Sequence, residues 1–172
     1  MAKWGTDLPF LLKILSVAAT LSIQVHPNKE LARMLHMMQP NVYKDPNHKP
    51  EMAIALTEFK ALCGFVIMEE FKDILIGVPE IAELVNGILA LISKQKNHLE
   101  AENKITRLSE REQLALLMEK QYHPDVGVLA AFFLNYVKLS PGEALYIGPN
   151  EHHAYISGEC IECMSASDML CE

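Results

Sequence analysis

The stretch "NEHHAYISGECIECMSAS", Asn150 to Ser167, reads as β-strand interrupted by a turn at Gly158. Neighbouring side chains of a strand point to opposite faces. His152 and His153 therefore cannot both serve one site. Just before it, "YVKLSPGEALYIGP" carries two alternating runs joined by Pro141 and Gly142, a turn signal. The last part of the chain is thus predicted as sheet.

Working back, the character changes. "EEFKDILIG", "PEIAELVNGILALISKQ" and "SEREQLALLMEKQ" read as amphipathic helices. Pro79 suits a first helical turn, and Ser109 with Glu112 makes a capping box. "HPDVGVLAAFFLN" closes this helical region. His98 reads as part of a solvated helix face, and His36 and His123 lie on predicted helices or loops without paired ligands. "MAIALTEFKALCGFVI" is another strand candidate, long or bent into two. The predicted layout is strand-rich, helix-rich, strand-rich, with the flanking β segments in one sheet structure.

Nearer the N-terminus, residues 8–18 are predicted as a buried helix, with Leu8, Leu11, Leu12 and Leu15 at helical spacing. A signal peptide fits poorly, because Lys13 splits the apolar run and Asp7 sits where basic residues belong. The segment is also too short to span a membrane. "TLSIQVH" alternates, which predicts a half-buried strand with Ser22, Gln24 and His26 on its polar face. Pro27 stops it, Asn28 is the expected N-cap of the next helix, and Leu31, Met34, Leu35 and Met38 form an apolar stripe.

Composition narrows the class. Of 172 residues, half are hydrophobic and 22% charged, which predicts a folded globular chain. The formal charge of −7 and the lack of a basic run among aromatics argue against nucleic acid. The four cysteines lack the spacing of a disulfide scaffold, so reduced thiols are expected. Cys160 and Cys163 are spaced as CxxC, but residues three apart on a strand face opposite sides. No second CxxC completes a four-sulfur zinc site.

One polar constellation stands out. Gln24 and His26 share a strand face near a strand end and can converge on one point. Glu51 begins the next strand, and His152 and His153 follow later. Two histidines, one carboxylate and an amide oxygen suit a borderline divalent ion, with zinc the leading choice. Such a centre can polarise a carbonyl or hydroxyl as a Lewis acid.

The longest motifs carry a resemblance. "LPFLLKILSVAATLSIQVHPNKELARMLH", "YKDPNHKPEMAIALTEFKALCGF" and "LSPGEALYIGPNEHHAYISGECIECM" resemble the type I mannose-6-phosphate isomerase family. The resemblance implies an α+β fold: a cupin-type (jelly-roll) β-barrel portion with an inserted all-helical domain. Residues 1–67 and 135–172 would be the two parts of the catalytic domain, and 68–134 the helical one. It implies a cytoplasmic, zinc-dependent isomerase that interconverts mannose 6-phosphate and fructose 6-phosphate and supplies GDP-mannose synthesis, with no membrane or nucleic-acid partner.

By motif, the resemblance implies one zinc ion on Gln24, His26, Glu51 and His153. It places Lys49 near the reacting carbons, Lys13 and Ser22 near the phosphate, and Glu162 and Asp168 in the barrel-lining stretch. Glu162 is thereby a catalytic candidate and Asp168 a substrate-binding one. The sequence also departs from the family pattern. Val25 replaces a small residue in Q-A-H-P, and His152 replaces the proline before the ligand histidine. The family's opening Q-P-Y-x-W-G-like motif has only "MAKWGTDLPF" in its place. Glu172 stands where the S-D-N-V-x-R pattern has arginine. These departures lead us to expect a fragment covering roughly the middle 40% of a family member. They also raise an alternative: a catalytically silent zinc-binding remnant or interaction module. A generic cupin-like sugar-phosphate binder fits the specific motifs less well.

Overall fold

The computed structural model describes residues 8–79, 81, 108–123 and 125–167. The chain divides into two compact units, Met1–Phe65 with Leu134–Glu172, and Val66–Phe133.

The first unit is a curled antiparallel sheet. Its strands are β1 (Phe10–Val17), β2 (Glu51–Ala55), β3 (Phe59–Phe65), β4 (Leu134–Leu139), β5 (Ala144–Ile147) and β6 (His153–Ser165). The path is β4-β3-β6-β2-β5, with β1 also on β6. Long β6 is the spine. Its first half pairs with β3 and its second half with β2, so β2 and β3 act as one broken strand along it. β5 and β4 continue that arrangement outside β2 and β3. On the other flank of β6, β1 pairs with the second half, and Leu21 and Gln24 hydrogen-bond to Tyr155 and His153 of the first.

All of these long strands break at the same level. β6 does so at Gly158, whose φ is +108°, and the β2–β3 break at Leu56–Glu58 lies beside it. The Leu56 N–H donates to the Glu159 carbonyl at 2.8 Å, and the Glu159 N–H to Thr57 Oγ1 at 2.9 Å. The bend brings distant strand ends together. On a straight strand, positions 153 and 164 would lie about 36 Å apart. Yet Glu51, which pairs with Met164, reaches the His153 ring at 3.4 Å. Small residues permit this approach: Ala53, Ala55 and Ala61 are buried with Phe59, Tyr155, Cys160 and Ile147 in the core.

Three expectations are corrected here. Residues 8–18 are not a helix. Phe10–Val17 form β1, in register with β6 from Phe10 opposite Ser165 to Val17 opposite Gly158. An apolar run this short fits either structure, and the ladder offered by β6 decides for strand. Nor is the run buried: Leu12 and Ile14 lie on the exposed face. Third, Thr20–His26 is an extended segment with bridge pairing at Gln24 and Val25 rather than a regular strand. Its burial does not alternate as expected, with Leu21 42% exposed and His26 only 1%. A buried polar group needs partners or an ion, and that requirement sets up the site.

Helix α1 (Lys29–Met38) starts where expected, with Asn28 Oδ1 accepting from the Leu31 N–H at 2.9 Å. Ala32 is its buried contact, while the Leu31, Met34 and Met38 stripe is exposed.

The second unit contains α2 (Met68–Gly77), α3 (Glu110–Gln121), a 3-10 turn at Val126–Leu129 and α4 (Ala130–Phe133). The Ser109–Glu112 capping box is present at α3. Arg111 ties the unit together by donating to the Ala131 carbonyl at 2.9 Å and pairing with Glu70. Most of "PEIAELVNGILALISKQ", and His98 after it, lie outside the described residues. Among the described residues, no helix is long and apolar enough to cross a membrane.

Candidate metal centre

Three buried side chains meet inside the curl: His26, Glu51 and His153. Each sits at the end of an element. His26 closes the extended segment before Pro27, Glu51 opens β2, and His153 opens β6. One ligand atom from each lies within 4.8 Å of the others. His26 Nε2 is 3.1 Å from Glu51 Oε1, and His153 Nε2 is 3.4 Å from Glu51 Oε2. A tetrahedral zinc at about 2.0–2.2 Å from each ligand keeps ligand atoms roughly 3.3–3.6 Å apart, so these spacings suit one.

Proton accounting points the same way. His153 Nδ1 lies 3.1 Å from the Glu151 carbonyl, which can only accept. Nδ1 therefore carries the N–H, which leaves Nε2 facing the Glu51 carboxylate. A second proton or a cation must lie between them. A carbonyl behind a ring nitrogen is also the usual support of a metal-binding histidine. His26 is more telling, since neither of its buried ring nitrogens makes a hydrogen bond of acceptable geometry.

Lys49 Nζ lies 3.0 Å from Glu51 Oε1 and is 11% exposed. Burial by itself would raise the Glu51 carboxyl. The contacts with His153, His26 and Lys49 outweigh it and hold that carboxyl well below the usual carboxylate range. Glu51 is thus an anion at neutral pH, as a metal ligand must be.

Gln24 is the backbone partner of His153: the Gln24 N–H donates at 2.8 Å and the His153 N–H returns a bond at 2.9 Å. Residues paired across an antiparallel bridge share a face, so Gln24 lies on the His153 side. Its amide Nε2 donates to Ser22 Oγ at 3.4 Å.

Comparison with known proteins places this arrangement. Residues 1–67 match the family described as phosphomannose isomerase type I, catalytic domain. "Mannose-6-phosphate isomerase 2" of Arabidopsis thaliana is 50% identical over 202 residues, covering 96% of this chain and 46% of that protein. The Homo sapiens mannose-6-phosphate isomerase is 41% identical, covering 94% of this chain and 47% of that protein. A zinc-bound mannose 6-phosphate isomerase crystal structure superposes with a TM-score of 0.79 at 30% identity, covering 95% of this chain and 49% of that one. Over nearly its whole length the chain is similar to type I phosphomannose isomerases. It spans about half the length of the curated relatives it matches.

Of the other predicted site residues, Lys13 and Glu162 come together, with Nζ 3.4 Å from Oε2. Ser22 is exposed, and Asp168 lies outside the described residues. His152 instead packs against Phe65, with ring centroids 4.9 Å apart and the planes tilted by 53°. Sequence reasoning missed Tyr155, whose buried hydroxyl donates to Glu162 Oε1 at 3.0 Å. The two residues are seven apart on one strand and meet only because the strand folds at Gly158.

The buried thiols of Cys63 and Cys160 are not poised for redox chemistry. Burial, then the nearby Glu151 carboxylate, pushes Cys63 up to about 11. Burial, then Glu162, pushes Cys160 up to about 11. At pH 8 both are therefore protonated, and the thiolate is the reactive form. Alkylation followed by peptide mass spectrometry is expected to label Cys63 and Cys160 at least about tenfold more slowly in the native chain than in guanidinium. Equal rates in the two states would refute this protection.

Proposed function

We propose that this chain carries the metal-binding half-site of a zinc-dependent, cytoplasmic mannose-6-phosphate isomerase. The helical unit would be an insertion into a cupin-type barrel. The observation that carries the reading is the buried His26–Glu51–His153 cluster, in which neither ring nitrogen of His26 makes a well-formed hydrogen bond. The zinc-bound relative supports the choice of ion.

His26, Glu51 and His153 would hold the ion, with Gln24 as the fourth ligand from the paired segment. When bound, zinc supplies a Lewis acid that polarises sugar oxygens. The reaction removes the proton on C2 of open-chain mannose 6-phosphate, passes through a cis-enediol and returns a proton at C1, giving fructose 6-phosphate. The Lys49 ammonium sits beside the cluster, where it can stabilise charge developing on oxygen. Glu162, fixed by Tyr155 and Lys13, offers a carboxylate inside the same curl. Lys13, half exposed, and Ser22 are the groups we assign to the phosphate.

A second reading, zinc binding without turnover, is favoured by Glu172 standing where the family pattern carries arginine. Loss of a charge-stabilising donor typically lowers turnover by about two to three orders of magnitude. Metal analysis and a coupled assay with mannose 6-phosphate separate the readings. The purified chain is expected to hold about one zinc, as a four-ligand site requires, and His153→Ala to lose it. Unchanged zinc in that variant would count against the ligand set. Turnover above background would sink the silent reading.

A further inference from the structure

The loop that delivers Lys49 and Glu51 is held from outside the metal cluster. Three of its four consecutive carbonyls, at Asn47, His48 and Pro50, accept hydrogen bonds from the end of β6. Ser165 Oγ donates to the His48 carbonyl at 2.8 Å, and the Ser165 N–H donates to the Pro50 carbonyl at 3.2 Å. Ser167 Oγ donates to the Asn47 carbonyl at 2.9 Å. From the other side, Asp45 Oδ1 accepts from the Asn47 N–H at 2.8 Å. Ser167 is buried and Ser165 half-buried, so water replaces neither bond easily.

The location gives these bonds their significance. Residues 47–50 have no regular secondary structure, so no ladder fixes them. Lys49 lies between the two carbonyls bonded by Ser165, and Glu51 follows directly. Lys49 Nζ reaches Glu51 Oε1 at 3.0 Å only with the loop in this place. We propose that Ser165 and Ser167 are positioning residues that clamp the 47–50 loop and so set Lys49 and Glu51 at the metal centre. The proposal rests on the metal reading above for its effect on zinc, but not for its effect on Lys49. Groups that orient metal ligands in this way commonly change metal affinity by about 10- to 100-fold.

The test compares the full chain with Ser165→Ala/Ser167→Ala, using two readouts. Zinc affinity is measured by chelator competition, and Lys49 accessibility by its rate of acetylation with acetic anhydride, read by mass spectrometry. The double variant is expected to bind zinc about tenfold or more weakly and to acetylate Lys49 several-fold faster. Ser165→Thr, which keeps the hydroxyl, is expected to match the parent in both. If the double variant fails to fold, the single Ser165→Ala carries the same comparison. An unchanged Lys49 rate overturns the clamp, whatever zinc does. A faster Lys49 rate with unchanged zinc affinity overturns its control of the metal centre. If the parent chain takes up no zinc, the metal reading fails, and the Lys49 rate still decides whether the clamp exists.

Discussion

Gly158→Ala is expected to abolish the native fold of the sheet unit. Two separate penalties meet at this position. Its φ of +108° lies where side-chain-bearing residues are strained, a cost of about 1–3 kcal/mol. A Cβ there would also stand 2.3 Å from the Glu58 carbonyl oxygen and 2.9 Å from Phe59 Cα. Both are backbone atoms of the adjoining break, so no side chain can swing aside. Relief requires moving β3 away from β6, which adds about 1–3 kcal/mol or more. The sum, on the order of 2–6 kcal/mol or more, rivals the whole stability of an ordinary domain, about 5–15 kcal/mol. Gly142→Ala is the control. Its φ is +89°, but nothing lies within 4 Å of the added Cβ, so only the conformational penalty applies. Soluble yield and urea midpoints by circular dichroism should separate the two variants clearly. A Gly158→Ala midpoint equal to that of Gly142→Ala would mean that the bend does not depend on this glycine.

That bend also explains what the sequence could and could not reveal. Alternation identified β6, and the turn residues at Gly158 and Pro141–Gly142 were visible. At Gly158, however, the chain does not reverse. It kinks within one continuous strand, and the sequence has no mark to distinguish the two. The helix expected at residues 8–18 failed because β1's partner lies at the far end of the chain. Local spacing of leucines says nothing about a ladder offered from there. The capping signals of α1 and α3 were legible because their partners are three residues away.

The candidate site divides in the same way. Parity put Gln24 and His26 on one strand face, and it was the family resemblance, not parity, that chose His153 over His152. The sense of burial could not be read: alternation normally puts the apolar face inward, whereas here His26 is inside and Leu21 is not. The Glu51–His153 and Tyr155–Glu162 contacts exist only after the strands fold over. The clamping role of Ser165 and Ser167 left no mark in the sequence, because their acceptors are backbone carbonyls, which leave no side-chain motif.

Glu51→Gln is expected to have the largest effect on the metal centre. The substitution keeps size and shape, so it isolates charge. Glu51 is the sole carboxylate in the His26–Glu51–His153 cluster, and its anion faces three nitrogens: His26 at 3.1 Å, Lys49 at 3.0 Å and His153 at 3.4 Å. A four-ligand zinc site contributes about 10–16 kcal/mol in all. One ligand then represents on the order of 3 kcal/mol, or a loss of affinity of roughly a hundredfold or more. Without metal the same change leaves the Lys49 ammonium beside a neutral amide, only 11% exposed. Breaking a buried pair costs about 3–5 kcal/mol, and Lys49 can recover part of that by extending its flexible stem toward water. The low end of the range is therefore expected for the apo chain. The two effects are separable in one experiment, thermal unfolding with and without added zinc. The parent should gain stability on adding zinc, while Glu51→Gln should start lower and gain little. Lys49→Met is the partner measurement, since it removes the ammonium but keeps the ligands. The variant that keeps the carboxylate should still gain stability with zinc. If Glu51→Gln responds to zinc as the parent does, the carboxylate is not a ligand, and its role is confined to neutralising Lys49.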